Sequence, residues 1–208
     1  MLAHAHPSAL APLLGGAFPL DHLSAASPLG GGSNRHGSRI ASLIPYAHGV
    51  AKVSAGILLY RRVDGGSVEV LLAHPGGPLW AAKDVGAWSI PKGEADDGES
   101  EADDLLAVAR REFEEETGHP APGGRPAELG EVRLKSGKVI HGWALEGDLD
   151  PATATSTTFD LEWPPRSGKR RIYPEVDRVA WSTPEEARER LNPAQVAFVD
   201  RLVASLAD

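Results

Sequence analysis

The first fifty residues carry no periodic apolar signal; from Val53 onward apolar positions arrive in dense, regularly spaced groups. Val53 to Arg62 (VSAGILLYRR) and Val68 to Ala73 (VEVLLA) are aliphatic, β-branched runs, and Asp64-Gly65-Gly66 between them predicts an antiparallel hairpin. Pro75 to Gly86 reads as a loop carrying Trp80, and Trp88 to Pro91 as a short strand. Leu106, Ala109 and Phe113 recur at helical spacing, so a helix should lay that stripe on a sheet and end at Gly118, a left-handed C-cap. Gly130 to Lys135 and Lys138 to Glu146 predict a second hairpin around Ser136-Gly137. The polar stretch Gly147 to Lys169 has little periodicity beyond Phe159 and Leu161; strand character resumes over Arg170 to Trp181. Thr183-Pro184-Glu185-Glu186 is a capping box with proline at the first helical position, and Asn192-Pro193-Ala194-Gln195 repeats the device. Val199, Leu202, Val203 and Leu206 give the last helix its apolar stripe.

Met1 to Val50 is rich in Ala, Pro, Gly, Ser and His and includes the linker Gly30-Gly31-Gly32-Ser33, which predicts a disordered extension ahead of one domain over residues 51–208. No Lys or Arg precedes its interrupted apolar stretch, against a secretory signal, and no run is long enough for a membrane span. Five of the eight histidines lie there, at His4, His6, His22, His36 and His48, without regular ligand spacing. The chain has no cysteine, which excludes disulfides and thiolate metal sites and agrees with a cytoplasmic setting. Its net charge of −8 is concentrated: Glu94 to Glu116 holds eleven acids against Arg110 and Arg111, while the remainder sums to +1. Acidity that local points to a cation site and gives no reason to expect nucleic acid or membrane as a partner.

The run Arg111-Glu112-Phe113-Glu114-Glu115-Glu116-Thr117-Gly118 sets Glu112, Glu115 and Glu116 on one helix face, at i, i+3 and i+4. Like charges at that spacing repel and need free solvation or a bound cation. Taken alone the run is a solvated acidic face; its surroundings change the reading. Pro91-Lys92-Gly93, Gly98-Glu99, Arg111-Glu112 and Thr117-Gly118 together resemble the signature of the Nudix hydrolase family, G-x(5)-E-x(7)-R-E-U-x-E-E-x-G-U, with U a bulky apolar residue. Gly93, Glu99, Arg111, Glu112, Phe113, Glu115, Glu116 and Gly118 match by type. His119 takes the last apolar place, and eleven residues instead of seven separate Glu99 from Arg111. The resemblance implies an α/β fold, an α/β/α sandwich with a mixed sheet.

Three carboxylates offer only oxygen, which suits Mg²⁺ or Mn²⁺ over zinc, and such ions bind diphosphates. The resemblance implies a pyrophosphohydrolase acting on a nucleoside diphosphate linked to another moiety, with Glu115 and Glu116 on the metal, Glu112 as the base acting on water, and Arg111 as structural support. Glu175 stands where similar enzymes supply a late carboxylate to the metal. Counting forward from Gly93 puts Glu99 at the signature glutamate, and counting back from Arg111 puts Asp103 there; Gly98 before Glu99 and Ser100 as a helix N-cap favour Glu99. Lys92, Gly93, Lys138, Arg170, Arg171 and Tyr173 are candidates for substrate contacts, with Lys135, Arg166 and Lys169 as further cations. Trp88, Trp143 and Trp163 are candidate stacking residues. The partner expected is a small nucleotide. A Nudix-like sensor that binds nucleotide without turnover is the alternative, opposed by the retention of all three carboxylates.

Overall fold

The computed structural model describes residues 53–96 and 102–207. The expected extension over Met1 to Val50 and the Ser100 cap lie outside the described residues. Six strands form one sheet in the order β4-β5-β1-β2-β8, where β1 is Val53–Arg62, β2 Val68–Pro75, β4 Ala127–Arg133, β5 Val139–Glu146 and β8 Val176–Ser182. β3, Lys92–Glu94, pairs antiparallel with the start of β1, setting Gly93 opposite Ala55. β1 and β5 run parallel and every other pair in this sheet is antiparallel, so the sheet is mixed as expected.

The unbroken apolar run of β1 follows from its place at the centre, where both faces are covered. Ala55, Ile57 and Leu59 join the core on one side of the sheet. Leu58 joins the core on the other, as the two-residue period of a strand requires. Helix α1, Ala102–Thr117, covers the first side; α2, Pro184–Arg190, and α3, Val196–Ala207, cover the second. The result is the α/β/α sandwich.

Helix α1 is built from strong helix formers with no glycine or proline inside, and Gly118 at φ 73° ends it with its amide on the Glu114 carbonyl at 2.8 Å. Its buried stripe is Leu105, Val108, Ala109 and Phe113, so Ala109 and Phe113 stand as expected, while Leu106 is only partly buried and Leu105 takes the inner place. Phe113 is fully buried, worth roughly 2–3 kcal/mol by apolar transfer. On the opposite side the expected stripe of α3 is corrected in the same way. Val199 and Leu202 are buried, Val203 is 36% exposed, and Phe198 takes the inner place. A Cβ on Gly142 of β5 would come within 2.6 Å of the Phe198 ring, so a glycine there admits the aromatic.

Two further expectations are corrected. The short strand lies at Lys92–Glu94 and not at Trp88 to Pro91, where only single bridges form, Ala73 to Ser89 and Trp88 to Leu191. The amide of Ile90 is taken instead by the Gln195 side chain at 3.0 Å, and Pro91 has no amide to give a ladder. The stretch Gly147 to Lys169 also contains a strand, β6 at Thr158–Glu162, which pairs with β7 at Arg170–Pro174 in a two-stranded ribbon off the main sheet. The capping box at Thr183 is present, and the Asn192 side chain accepts from the Ala194 amide at 3.1 Å ahead of α3. No helix among the described residues is long and apolar enough to cross a membrane.

Candidate active site

The last two turns of α1 lie beside β3, and the contact is made by carboxylates. The Glu116 carboxylate accepts the Lys92 backbone amide at 3.0 Å. Glu112, with its side chain only 14% exposed, sits against Gly93: a Cβ at residue 93 would fall 1.7 Å from a Glu112 carboxylate oxygen. Glycine at that position leaves the room in which the Glu112 carboxylate lies on the strand. Arg111 reaches Glu112 at 3.2 Å and the Glu94 carbonyl at 3.5 Å, and its Nε stands 3.9 Å from Glu115. Lys92 is buried at 8% exposure.

These positions make Glu116 and Glu112 poor anions. Burial pushes Glu116 up to about 8; Lys92 opposes this, and the charges of Glu112 and Glu175 add to it. Burial likewise raises Glu112 to about 7, with the Glu115 charge adding to the rise and Arg111 opposing it. β3 covers Glu112 and Glu116, so this is not a freely solvated acidic face.

Glu175 stands in the break between β7 and β8, its carboxylate accepting from the Thr157 hydroxyl at 2.8 Å. The Thr155 amide donates to the Thr117 carbonyl and the Thr157 amide to the Glu115 carbonyl, both at 3.0 Å. The C-terminal end of α1 is thereby stitched to the root of the ribbon. These threonines were missed from the sequence, where they lie in a polar run without period.

A family model of the NUDIX domain matches residues 51–202. The chain belongs to the Nudix hydrolase family. It is accordingly a pyrophosphohydrolase of the kind that acts on nucleotides, in a family that generally uses divalent metal ions. No curated protein matches the chain. A C. elegans Ap4A hydrolase in a binary complex is similar at 20% identity and TM-score 0.51, over 74% of this chain and 98% of that one. The NUDIX domain of Shewanella oneidensis NrtR, complexed with ADP ribose, is similar at 17% identity and TM-score 0.51, over 80% and 95%. At such identities the likeness is one of fold.

The Nudix box so placed brings together Lys92, Gly93, Arg111, Glu112, Glu115 and Glu116, with Glu175 close enough for its charge to be felt at Glu116. Glu99, and with it the choice between Glu99 and the Asp103 side chain, lies outside the described residues. Among the described residues no three His, Asp or Glu side chains already stand in a chelating arrangement. Lys138 is ion-paired to Glu94 at 2.6 Å, beside β3. Arg170 is turned away, paired to Asp160 at 2.9 Å, whereas Tyr173 packs on Phe159 with ring centroids 6.2 Å apart. Trp88 is buried and donates to Asp84, so it has no face free for a base.

A groove of about 500 Å³, lined by Arg61, Asp148, Leu149, Val179 and Trp181, lies at the opposite end of β1 from Gly93. Its charges are satisfied internally: Arg61 bonds Asp148 at 2.8 Å and Glu69 at 2.7 Å and lies 4.3 Å over the Trp181 ring.

Proposed function

We propose that this chain hydrolyses, with a divalent cation, a pyrophosphate bond in a nucleoside diphosphate linked to another moiety, nucleoside triphosphates and dinucleoside polyphosphates included. Glu115 and Glu116 are the principal ligands for Mg²⁺ or Mn²⁺, with Glu112, Glu99 and Glu175 as the further oxygen donors. The donor set fits such an ion: every member is a carboxylate, and at Glu112 and Glu116 the cost of burial outweighs the compensation that Arg111 and Lys92 give. Bound there, the cation supplies neutralisation of the charge that builds on the phosphate oxygens.

The chain's own residues do the rest. Glu112 takes the proton from a water as its oxygen bonds to phosphorus, and the bridging oxygen leaves with the electron pair of the broken P–O bond. Arg111 holds the Glu112 carboxylate at 3.2 Å and fixes the direction in which it accepts. Lys92, fixed at the start of β3, adds positive charge next to Glu116 and Glu112. Lys138 and Gly93 border the substrate side.

The observation that carries this reading is the seat of Glu112 on Gly93, since a solvated acidic face would need no glycine beneath it. Incubation with Mg²⁺ and a panel that includes ADP-ribose, ATP and Ap4A, followed by product analysis, tests it. Ap4A and ADP-ribose are chosen because one protein of this fold is named an Ap4A hydrolase and another is complexed with ADP ribose. Turnover should require the cation and fall by about 10²-fold or more in Glu115→Gln and Glu116→Gln. Full turnover in chelator overturns the mechanism, and tight nucleotide binding without turnover would favour a sensor.

A further inference from the structure

The ribbon β6–β7 is rooted on the active helix, and its register sorts its side chains into two unlike faces. Thr157 and Glu175 form the first rung, joined by a backbone bond from the Glu175 amide to the Thr157 carbonyl at 2.8 Å and by their side chains. Cross-strand partners point to the same face, and the face recurs every second residue. Above Glu175 that face therefore carries Phe159 with Tyr173, then Leu161 with Arg171, then Trp163 with Lys169, whose backbones bond at 2.9 Å. The other face carries Asp160, Glu162, Arg170 and Ile172, where Arg170 is neutralised by Asp160.

The first face thus starts at a carboxylate of the acid cluster and continues, at about 7 Å per rung, through an aromatic pair to two exposed cations. It bears no acid beyond Glu175, and among the described residues neither Arg171 nor Lys169 is ion-paired. Phe159 leans on the chain at Gly77, where a Cβ would stand 3.2 Å from the ring, so the aromatic rung is backed and held. An aromatic pair followed by unpaired cations has the chemistry that takes a nucleobase and a phosphate.

We propose that this face is the nucleotide-recognition surface, with Tyr173 and Phe159 receiving the base and Arg171 and Lys169 a phosphate. It rests on the hydrolase reading for the position of the scissile bond at Glu112, Glu115 and Glu116. It also removes Arg170 from the substrate contacts, although Arg170 and Arg171 are indistinguishable in the sequence.

The test is calorimetric binding of ADP and, separately, of inorganic pyrophosphate to the full chain with Mg²⁺, using wild type, Tyr173→Leu, Arg171→Ala and Arg170→Ala, each checked for an unchanged melt. Tyr173→Leu should weaken ADP about tenfold and leave pyrophosphate within twofold, because one stacked base is worth about 1–3 kcal/mol. Arg171→Ala should weaken ADP about tenfold and raise KM with kcat little changed, while Arg170→Ala stays within twofold of wild type. Equal losses in Arg170→Ala and Arg171→Ala, or full ADP affinity in both Tyr173→Leu and Arg171→Ala, overturn the assignment. Cation-dependent hydrolysis with full ADP affinity in those two variants would sink the ribbon alone. ADP held through the ribbon by a protein that turns over no pyrophosphate substrate would sink the hydrolase reading alone.

Discussion

The two ends of strand β1 treat charge in opposite ways. At the Arg61 end, a guanidinium meets Glu69 and Asp148, and the hydrogen bond from Arg61 holds the Asp148 carboxyl below its ordinary value. At the Ala55 end, where β3 pairs, Glu112 and Glu116 are pushed up to about 7 and about 8 by burial, with Arg111 and Lys92 offsetting only part of it. One cluster stabilises the fold and the other leaves the fold carrying an electrostatic cost. Carboxyls raised by burial beside like charges cluster at functional sites, and that contrast separates the proposed active end from the Arg61 groove.

Glu116→Gln should break the comparison hardest. Activity should fall about 10²-fold or more, while the melting temperature in chelator holds or rises, because the amide removes a buried charge of similar shape. Loss of activity together with a lower melt would make Glu116 a structural residue. Gly93→Ala comes next: its Cβ would overlap Glu112, so the carboxylate must move, with about tenfold or more lost in kcat and about 1–3 kcal/mol in stability. Near wild-type values in urea unfolding and turnover would show that the helix can shift freely.

The third expectation concerns pH. Glu112 and Glu116 have folded pKa values above the ordinary 4.5, so the folded chain holds their protons more tightly than the unfolded chain does. Their favourable contribution is complete below about pH 4.5 and is lost as pH rises through about 7 and 8. The metal-free protein should lose about 5 °C of melting temperature between pH 5.5 and 9, less in Glu116→Gln, and Mg²⁺ should restore it. A flat profile in chelator contradicts the burial of these carboxyls. The smallest effect belongs to the other end: Arg61→Ala should cost about 1 kcal/mol and leave turnover within twofold. A large kinetic effect there would give the groove a part in the reaction.

Much of the sheet was legible because turns and periods were explicit, as in the Ser136-Gly137 hairpin and the Thr183 capping box. Strand β6 was not, since Phe159 and Leu161 alone give too short an alternation and its stability comes from pairing with β7. Ala109 and Phe113 of the α1 stripe were legible, but Leu106 was taken for Leu105 because both are apolar, and only the position of the sheet chooses between them. The acid box was legible as a donor set; its burial was not, because that depends on Gly93 and the Lys92 amide arriving from another element. Glu175 was reached through family resemblance, and its tie to Thr157 joins residues eighteen apart in a polar run.

The parallel pairing of β1 with β5 has a consequence for how the chain folds. Tyr60 meets Glu146 eighty-six residues later, and α1 lies between them in sequence. The core beneath α1 therefore stays open until β5 docks, which places this topology among slower, higher-contact-order folders. The cover on the α1 carboxylates is local by contrast: Glu116 meets the Lys92 amide only twenty-four residues away, and Glu112 lies on Gly93, so their desolvation does not depend on the long closure from β1 to β5.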